Sequence, residues 1–202
     1  VVQFINAHCG NTVRNSADYG EAVTKAGLVL RDGSGVRIAS RLSGKGKIAN
    51  LNGTDLFPEL CQRAALYEQA IFALGGKPGI AENALQLMQE RTPGLKLAGY
   101  RDGFFAIDAE DALIDQINES GAAVLLVGLG VPAQEKWIAR NRDRLHVPLI
   151  MGVGGLFDYY SGRLSRAPKV LRMLGLEWCW RLALEPKRLA GRAGKATCFT
   201  CF

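Results

Sequence analysis

Four polar side chains, Asn6, Asp32, Gln134 and Asp158, stand where strand-like runs give way to turns. A carboxylate in such a position can take a proton from an attacking hydroxyl, the work of a general base. Asp32, directly ahead of Gly33, suits that role and equally suits a turn in which the side chain bonds its own backbone. Asp158 suits hydrogen bonding to a ligand or capping of a following helix. Around Gln134 the stretch Gly128-Leu-Gly-Val-Pro-Ala-Gln-Glu-Lys-Trp137 offers different chemistry. Gly128 and Gly130 let the backbone approach a ligand closely, Pro132 fits a first helical turn, and free N–H groups at a helix start favour an anion. The same spacing, Gly128-x-Gly130-x-x-Ala133, also fits a relaxed dinucleotide fingerprint.

These residues need a frame that brings them together. Apolar runs of strand length occur at Val1–Ile5, Leu28–Leu30, Ala70–Leu74, Leu95–Tyr100, Ala122–Val127 and Leu149–Val153. Helical spacing is read over Ser16–Ala26, Val36–Leu42, Gly53–Tyr67, Ile80–Glu90, Glu110–Ser120 and Gln134–Arg144, and Ser43-Gly-Lys-Gly-Lys47 reads as a basic loop. The alternation with short connections predicts an α/β fold, a single Rossmann-like, mostly parallel sheet flanked by helices. Ligands of such sheets bind beyond the carboxyl ends of the strands, where the four polar residues stand.

At 202 residues and 48% hydrophobic composition the chain supports one sizeable core. The core is expected over residues 1–162, followed by an appendage over 163–192 and a disordered tail over 193–202. No apolar run reaches membrane-spanning length. The chain opens on Val1 and runs straight into a strand, so a natural N-terminus is expected to be missing. Five cysteines, an odd and scattered count, favour reduced thiols in a cytosolic setting, and Cys198-x-x-Cys201 is a lone pair with no histidine nearby.

The net charge of +6 is unevenly placed: nine of the 25 basic residues but two of the 19 acidic ones lie from Gly162 onward. The positive segment implies an anionic partner there. Its apolar residues, among them Val170, Leu171, Trp178 and Trp180, make it a basic amphipathic helical appendage. Such an appendage can dock on the sheet, lie on a membrane, or do both.

Six motifs in register, Asp32-Gly-Ser-Gly-Val36, Leu74-Gly-Gly-Lys-Pro-Gly79, the Gly128–Trp137 stretch, Gly152-Val-Gly-Gly-Leu-Phe-Asp158, Ser161-Gly-Arg-Leu-Ser-Arg-Ala-Pro168 and Leu176-Glu-Trp-Cys-Trp-Arg181, closely resemble the WecG/TagA/CpsF glycosyltransferases of bacterial surface polysaccharide synthesis. The resemblance runs from about Val1 to Arg192. It implies an inverting, metal-independent transfer of a hexose-type sugar from a UDP-sugar to a saccharide on a polyprenyl diphosphate, with no cofactor. It implies a peripheral position on the inner face of the cytoplasmic membrane and admits homo-oligomers. By position it makes Asp32 the catalytic base, Asn6 a neighbouring pocket residue, Gln134 the active-site glutamine and Asp158 the nucleotide-pocket aspartate. Gly128, Gly130, Pro132, Phe104, Gly154 and Gly155 complete the donor pocket. The chain departs from the family at Phe4, where the teichoic acid enzymes carry threonine, at Phe104 for tyrosine, at Ala133 for lysine and at Arg31 for proline. It also lacks the usual lead-in before the first strand.

The UDP leaving group gains negative charge in the transition state. With just two histidines and no metal-ligand cluster in the sequence, positive side chains must do the work of a metal ion, and Arg166, Arg172 and Arg181 are the sources. Asp158 would accept from the uracil edge. Glu135 and Trp137 would hold the turn, the first through backbone N–H groups and the second by packing. Two other readings compete. A nicotinamide- or flavin-dependent oxidoreductase wants an acid at the end of the following strand, where Met151-Gly-Val-Gly-Gly155 stands. A basic lipid- or nucleic-acid-binding module would use the tail alone; of the two partners, lipid rather than nucleic acid is expected.

Overall fold

The computed structural model describes residues 1–33, 36, 40, 43, 44, 51–174 and 176–186. Its six strands are β1 (Val2–Ile5), β2 (Leu28–Arg31), β3 (Ala70–Gly75), β4 (Lys96–Arg101), β5 (Val124–Gly128) and β6 (Leu149–Gly152). They form one sheet of order β2-β1-β6-β5-β3-β4 in which every pairing is parallel. The six apolar runs are the six strands, each displaced by two residues at most.

Between them lie α1 (Ala7–Asn15), α2 (Ala17–Thr24), α3 (Gly53–Leu66), α4 (Ile80–Arg91), α5 (Glu110–Glu119), α6 (Ala133–Asn141) and α7 (Leu156–Tyr160), followed by α8 (Lys169–Leu174) and α9 (Glu177–Leu184). Two corrections to the sequence reading stand out. The residues after Asn6 form α1, where no helix was expected, and the glycine turn after β6 leads directly into α7. Asp158 therefore lies inside a helix whose N-cap is Gly155, and the capping role considered for it does not apply. The helix expected over Val36–Leu42, the loop to Lys47 and everything from Lys187 onward, including Cys198 and Cys201, lie largely or wholly outside the described residues.

Alternation along the strands sorts the core into two layers. Ile71, Ala73, Val124 and Leu126 face α3, α4 and α7, through Phe57, Cys61, Leu85, Met88 and Phe157. Phe72, Leu74, Leu125 and Val127 face α5 and α6, through Ile114, Ile117, Trp137 and Ile138. A smaller cluster of Cys9, Tyr19 and Val23 holds α1 and α2 on the α6 side. Crossovers from β2 to β3 and from β3 to β4 use the first face, and those from β1 to β2, β4 to β5 and β5 to β6 use the second. That division follows when all crossovers share one hand. β2 is an edge strand with a single neighbour, and its Leu28 and Val29 are exposed.

Candidate active site

All the predicted rim residues outside the tail follow a strand's carboxyl end. At β1, Asn6 caps α1, its Oδ1 accepting from the Cys9 N–H at 3.2 Å. At β2, the Asp32 N–H donates to the Ile5 carbonyl at 2.8 Å. This bond carries the β1–β2 ladder one residue past the strand, so the Asp32 backbone follows next to that of Asn6. At β5, Gly128 leads into Gly130, Pro132 and α6, and at β6, Gly154 and Gly155 lead into α7.

The β5 and β6 turns are fastened by one side chain. Gln134 is 2% exposed; its Oε1 accepts from the Gly154 N–H at 2.9 Å and its Nε2 donates to Glu135 Oε1 at 2.9 Å. One leading amide of α6 is already used inside the turn, Gln134 N on Gly130 O at 2.8 Å, and Pro132 at the N-cap has no N–H to offer. An anion at this helix start therefore has fewer free N–H groups than the spacing alone promised. Glu135 meets the Gln134 amide rather than only backbone N–H groups, and burial pushes its carboxyl above the usual carboxylate range. Trp137 is 4% exposed and packs in the core, as expected.

Between β3 and β5 the crossovers diverge, the kind of switch point at which α/β sheets open a ligand crevice. Here two glycines face each other. A Cβ on Gly75 would run into the Gly128 carbonyl, and one on Gly128 would lie 2.9 Å from Gly154 O. Gly76 N donates to Gly128 O at 3.3 Å and Gly103 N to Gly76 O at 2.9 Å, so the turns after β3, β4 and β5 form one continuous floor. Phe104, at its outer end, is 72% exposed, with its N–H held by Asp102 Oδ1 at 2.9 Å. A cleft of about 300 Å³ lies next to it, lined by Phe105, Ile107, Leu129 and Trp137 and by the Glu110–Arg140 ion pair.

The basic segment folds back on this rim. Arg163 bridges Asp158 (2.7 Å) and Glu185 (3.1 Å), tying α7 to the end of α9. Arg166 reaches Asp55 at 2.5 Å and Thr54 Oγ1 at 3.1 Å, and Arg172 approaches the same Asp55 oxygen at 3.9 Å. The Nε atoms of Arg166 and Arg172 are buried without a hydrogen-bond partner. Trp180 Nε1 donates to the Ser165 carbonyl at 3.2 Å. Of the three predicted arginines, Arg181 belongs to α9 but its side chain lies outside the described set. Among the described residues no three His, Cys, Asp or Glu side chains gather as metal ligands, and no helix is long and apolar enough to cross a membrane.

The rim brings Asn6 and Asp32 together, and separately brings Gln134 to Gly154. It does not bring Asp32 to the Gly128 turn: β1 and β6 lie between, three strand spacings or roughly 14 Å. Sequence reasoning passed over Gln3, Cys9, Tyr19 and Arg163. The signal for Gln3 was its polar side chain within the apolar run Val-Val-Gln-Phe-Ile; that for Arg163 was its place in the Ser161–Pro168 motif.

A parallel sheet covered on both faces, with glycine turns and polar groups along its carboxyl rim, defines a Rossmann-like α/β protein. The family model for the glycosyl transferase WecG/TagA/CpsF family matches residues 1–201. The chain belongs to this family, and is a glycosyltransferase of surface polysaccharide synthesis. Its family-level partners are a sugar nucleotide and a lipid-linked acceptor.

Proposed function

We propose that the protein transfers a hexose-type sugar from a UDP-sugar to a saccharide on a polyprenyl diphosphate, with inversion and without a metal ion, at the inner face of the cytoplasmic membrane. Asp32 takes the proton of the acceptor hydroxyl as it attacks the anomeric carbon, and Asn6 orients the same group. The bond from Asp32 N to Ile5 O supports this reading, because it sets the backbones of Asp32 and Asn6 at neighbouring positions at the open end of two paired strands.

The donor lies along the rim from the β5 and β6 turns towards Asp32. The span of roughly 14 Å between Asp32 and the Gly128 turn suits an extended nucleotide sugar better than a compact ligand. Gln134 serves by fastening the Gly154 turn, and Asp158 stands beside it on α7 for the base. Arg166 and Arg172, gathered at Asp55 with their Nε donors unpartnered, supply positive charge for the departing diphosphate. Arg181 is assigned to the same task. The apolar residues exposed on the appendage, Val170, Leu176 and Leu184, would face lipid.

The test is UDP release from a panel of UDP-sugars, with polyprenyl-diphosphate-linked sugars as acceptors, run beside Asp32→Asn. Turnover by the parent chain and its loss in the variant are expected. A variant with full turnover removes Asp32 from the role of base.

A further inference from the structure

Beneath the rim lies a buried polar chamber in which Glu135 has no part in the reaction described above. Gln3, Gln134 and Glu135 are 1%, 2% and 1% exposed. Tyr19 is fully buried and packs with Cys9, and both feel the Glu135 carboxyl; the Asp32 charge acts on the same thiol from the end of β2. Gly152 leaves the space, since a Cβ there would run into Gln3 Oε1 and lie 3.1 Å from Gln134 Nε2. Glu135 Oε2 and both ends of the Gln3 amide have no hydrogen-bond partner.

The two ends of a glutamine amide have nearly the same shape and opposite hydrogen-bonding character. Only the oxygen of Gln134 can accept the Gly154 N–H; a reversed amide would set donor against donor. Glu135 Oε1 is the acceptor that draws Nε2 to the other side.

We propose that Glu135 is a positioning residue for sugar transfer: it fixes the sense of the Gln134 amide and, through it, the Gly154 backbone at the carboxyl end of β6. The catalytic half of this inference rests on the transferase reading above; the geometric half does not. Burial favours the neutral carboxylic acid at Glu135, which keeps an acceptor oxygen and adds an O–H donor. Glutamine is the uncharged equivalent.

The experiment compares Glu135→Leu and Glu135→Gln in the full chain. It follows amide hydrogen exchange at Gly154 in the ligand-free protein, and kcat and KM for UDP release. In Glu135→Leu, exchange at Gly154 is expected to rise by about tenfold or more while Leu125 to Val127 keep their parent rates. The kcat is expected to fall by a similar factor, with KM little changed. Glu135→Gln should stay within about threefold of the parent in both readouts. Unchanged Gly154 protection in Glu135→Leu, or a Glu135→Gln variant as impaired as the leucine one, overturns the proposal. Should the leucine variant not fold, Glu135→Asp withdraws the carboxyl by one carbon, about 1.5 Å, and meets the same two criteria. If the parent chain releases no UDP from any donor, the transferase reading falls, and Gly154 exchange still decides whether Glu135 positions the turn.

Discussion

The side chain of Gln134 and the backbone N–H of Gly154 meet at 2.9 Å, joining the turn after β5 to the turn after β6. Neighbouring strands carry these turns, yet the sheet ladder does not extend to them, and a single amide spans the gap. The geometry of these two turns therefore depends on a group with 2% of its surface in contact with water.

Asp32→Asn removes the proposed proton acceptor and preserves the shape. Turnover of the UDP-sugar should fall by about a hundredfold or more, the usual range for a positioned general base. UDP affinity measured by calorimetry should hold, because Asp32 is three strands away from the Gly128 turn. Matched losses in affinity and rate would show that the residue binds the donor instead.

Glu135 makes stability depend on pH with a definite sign. Its folded-state pKa is raised by burial, so the native chain keeps the proton longer than the unfolded chain does. Stability is then lost as pH climbs from the ordinary carboxylate range, near 4.3, up to the raised folded value, and is level above it. Glu135→Gln cancels this titration. Its Tm relative to the parent should climb as pH rises through that window, whereas parallel Tm curves would mean that the carboxyl titrates alike in the folded and unfolded chains.

Gly75→Ala should destabilise the protein by about 3 kcal/mol or more, since the new methyl group meets the Gly128 carbonyl and φ is +137°. Gly94→Ala is the control: φ is +86° with nothing within 4 Å, so about 1 kcal/mol of backbone strain is the whole cost. Urea unfolding midpoints of the two variants separate the effects. Equal shifts would show that the close approach at the switch point is relaxed easily.

Arg163→Ala cuts both ion pairs that hold α9 to α7. Amides of residues 177–184 should exchange faster, with those of α4 unchanged. Glu185→Gln should act in the same direction and more weakly, since it leaves the Asp158 pair in place. No change in either variant would mean that Trp180 and its bond to Ser165 seat the helix alone.

How far the sequence carried the structure can be seen element by element. Strands buried on both faces are written as unbroken apolar runs, so Ala70–Gly75 and Val124–Gly128 were plain. Helix α1 was hidden because AHCGNTVRN buries only Cys9 and so has no apolar stripe to read. Helix α7, at five residues, is too short to show a period. The rim positions of Asn6, Asp32 and Gln134 followed from strand ends. Their partners did not follow, because Gln134 to Gly154 and Arg166 to Asp55 are pairings set by the order of the elements in the fold, which no local pattern encodes.

Asp32 follows the outermost strand, and β2 is laddered on one side only. An element supported in this way frays at lower free energy than the centre of its sheet. Warming should therefore silence the enzyme before it melts: β2 would lift from β1, Asp32, the proposed base, would drift out of register with Asn6, and activity would vanish reversibly while β3, β5 and β6 remained intact. Heat resistance of the catalyst would then be set by its flimsiest seam, the two-strand join at Ile5 and Arg31, and not by the core that dominates the melting curve.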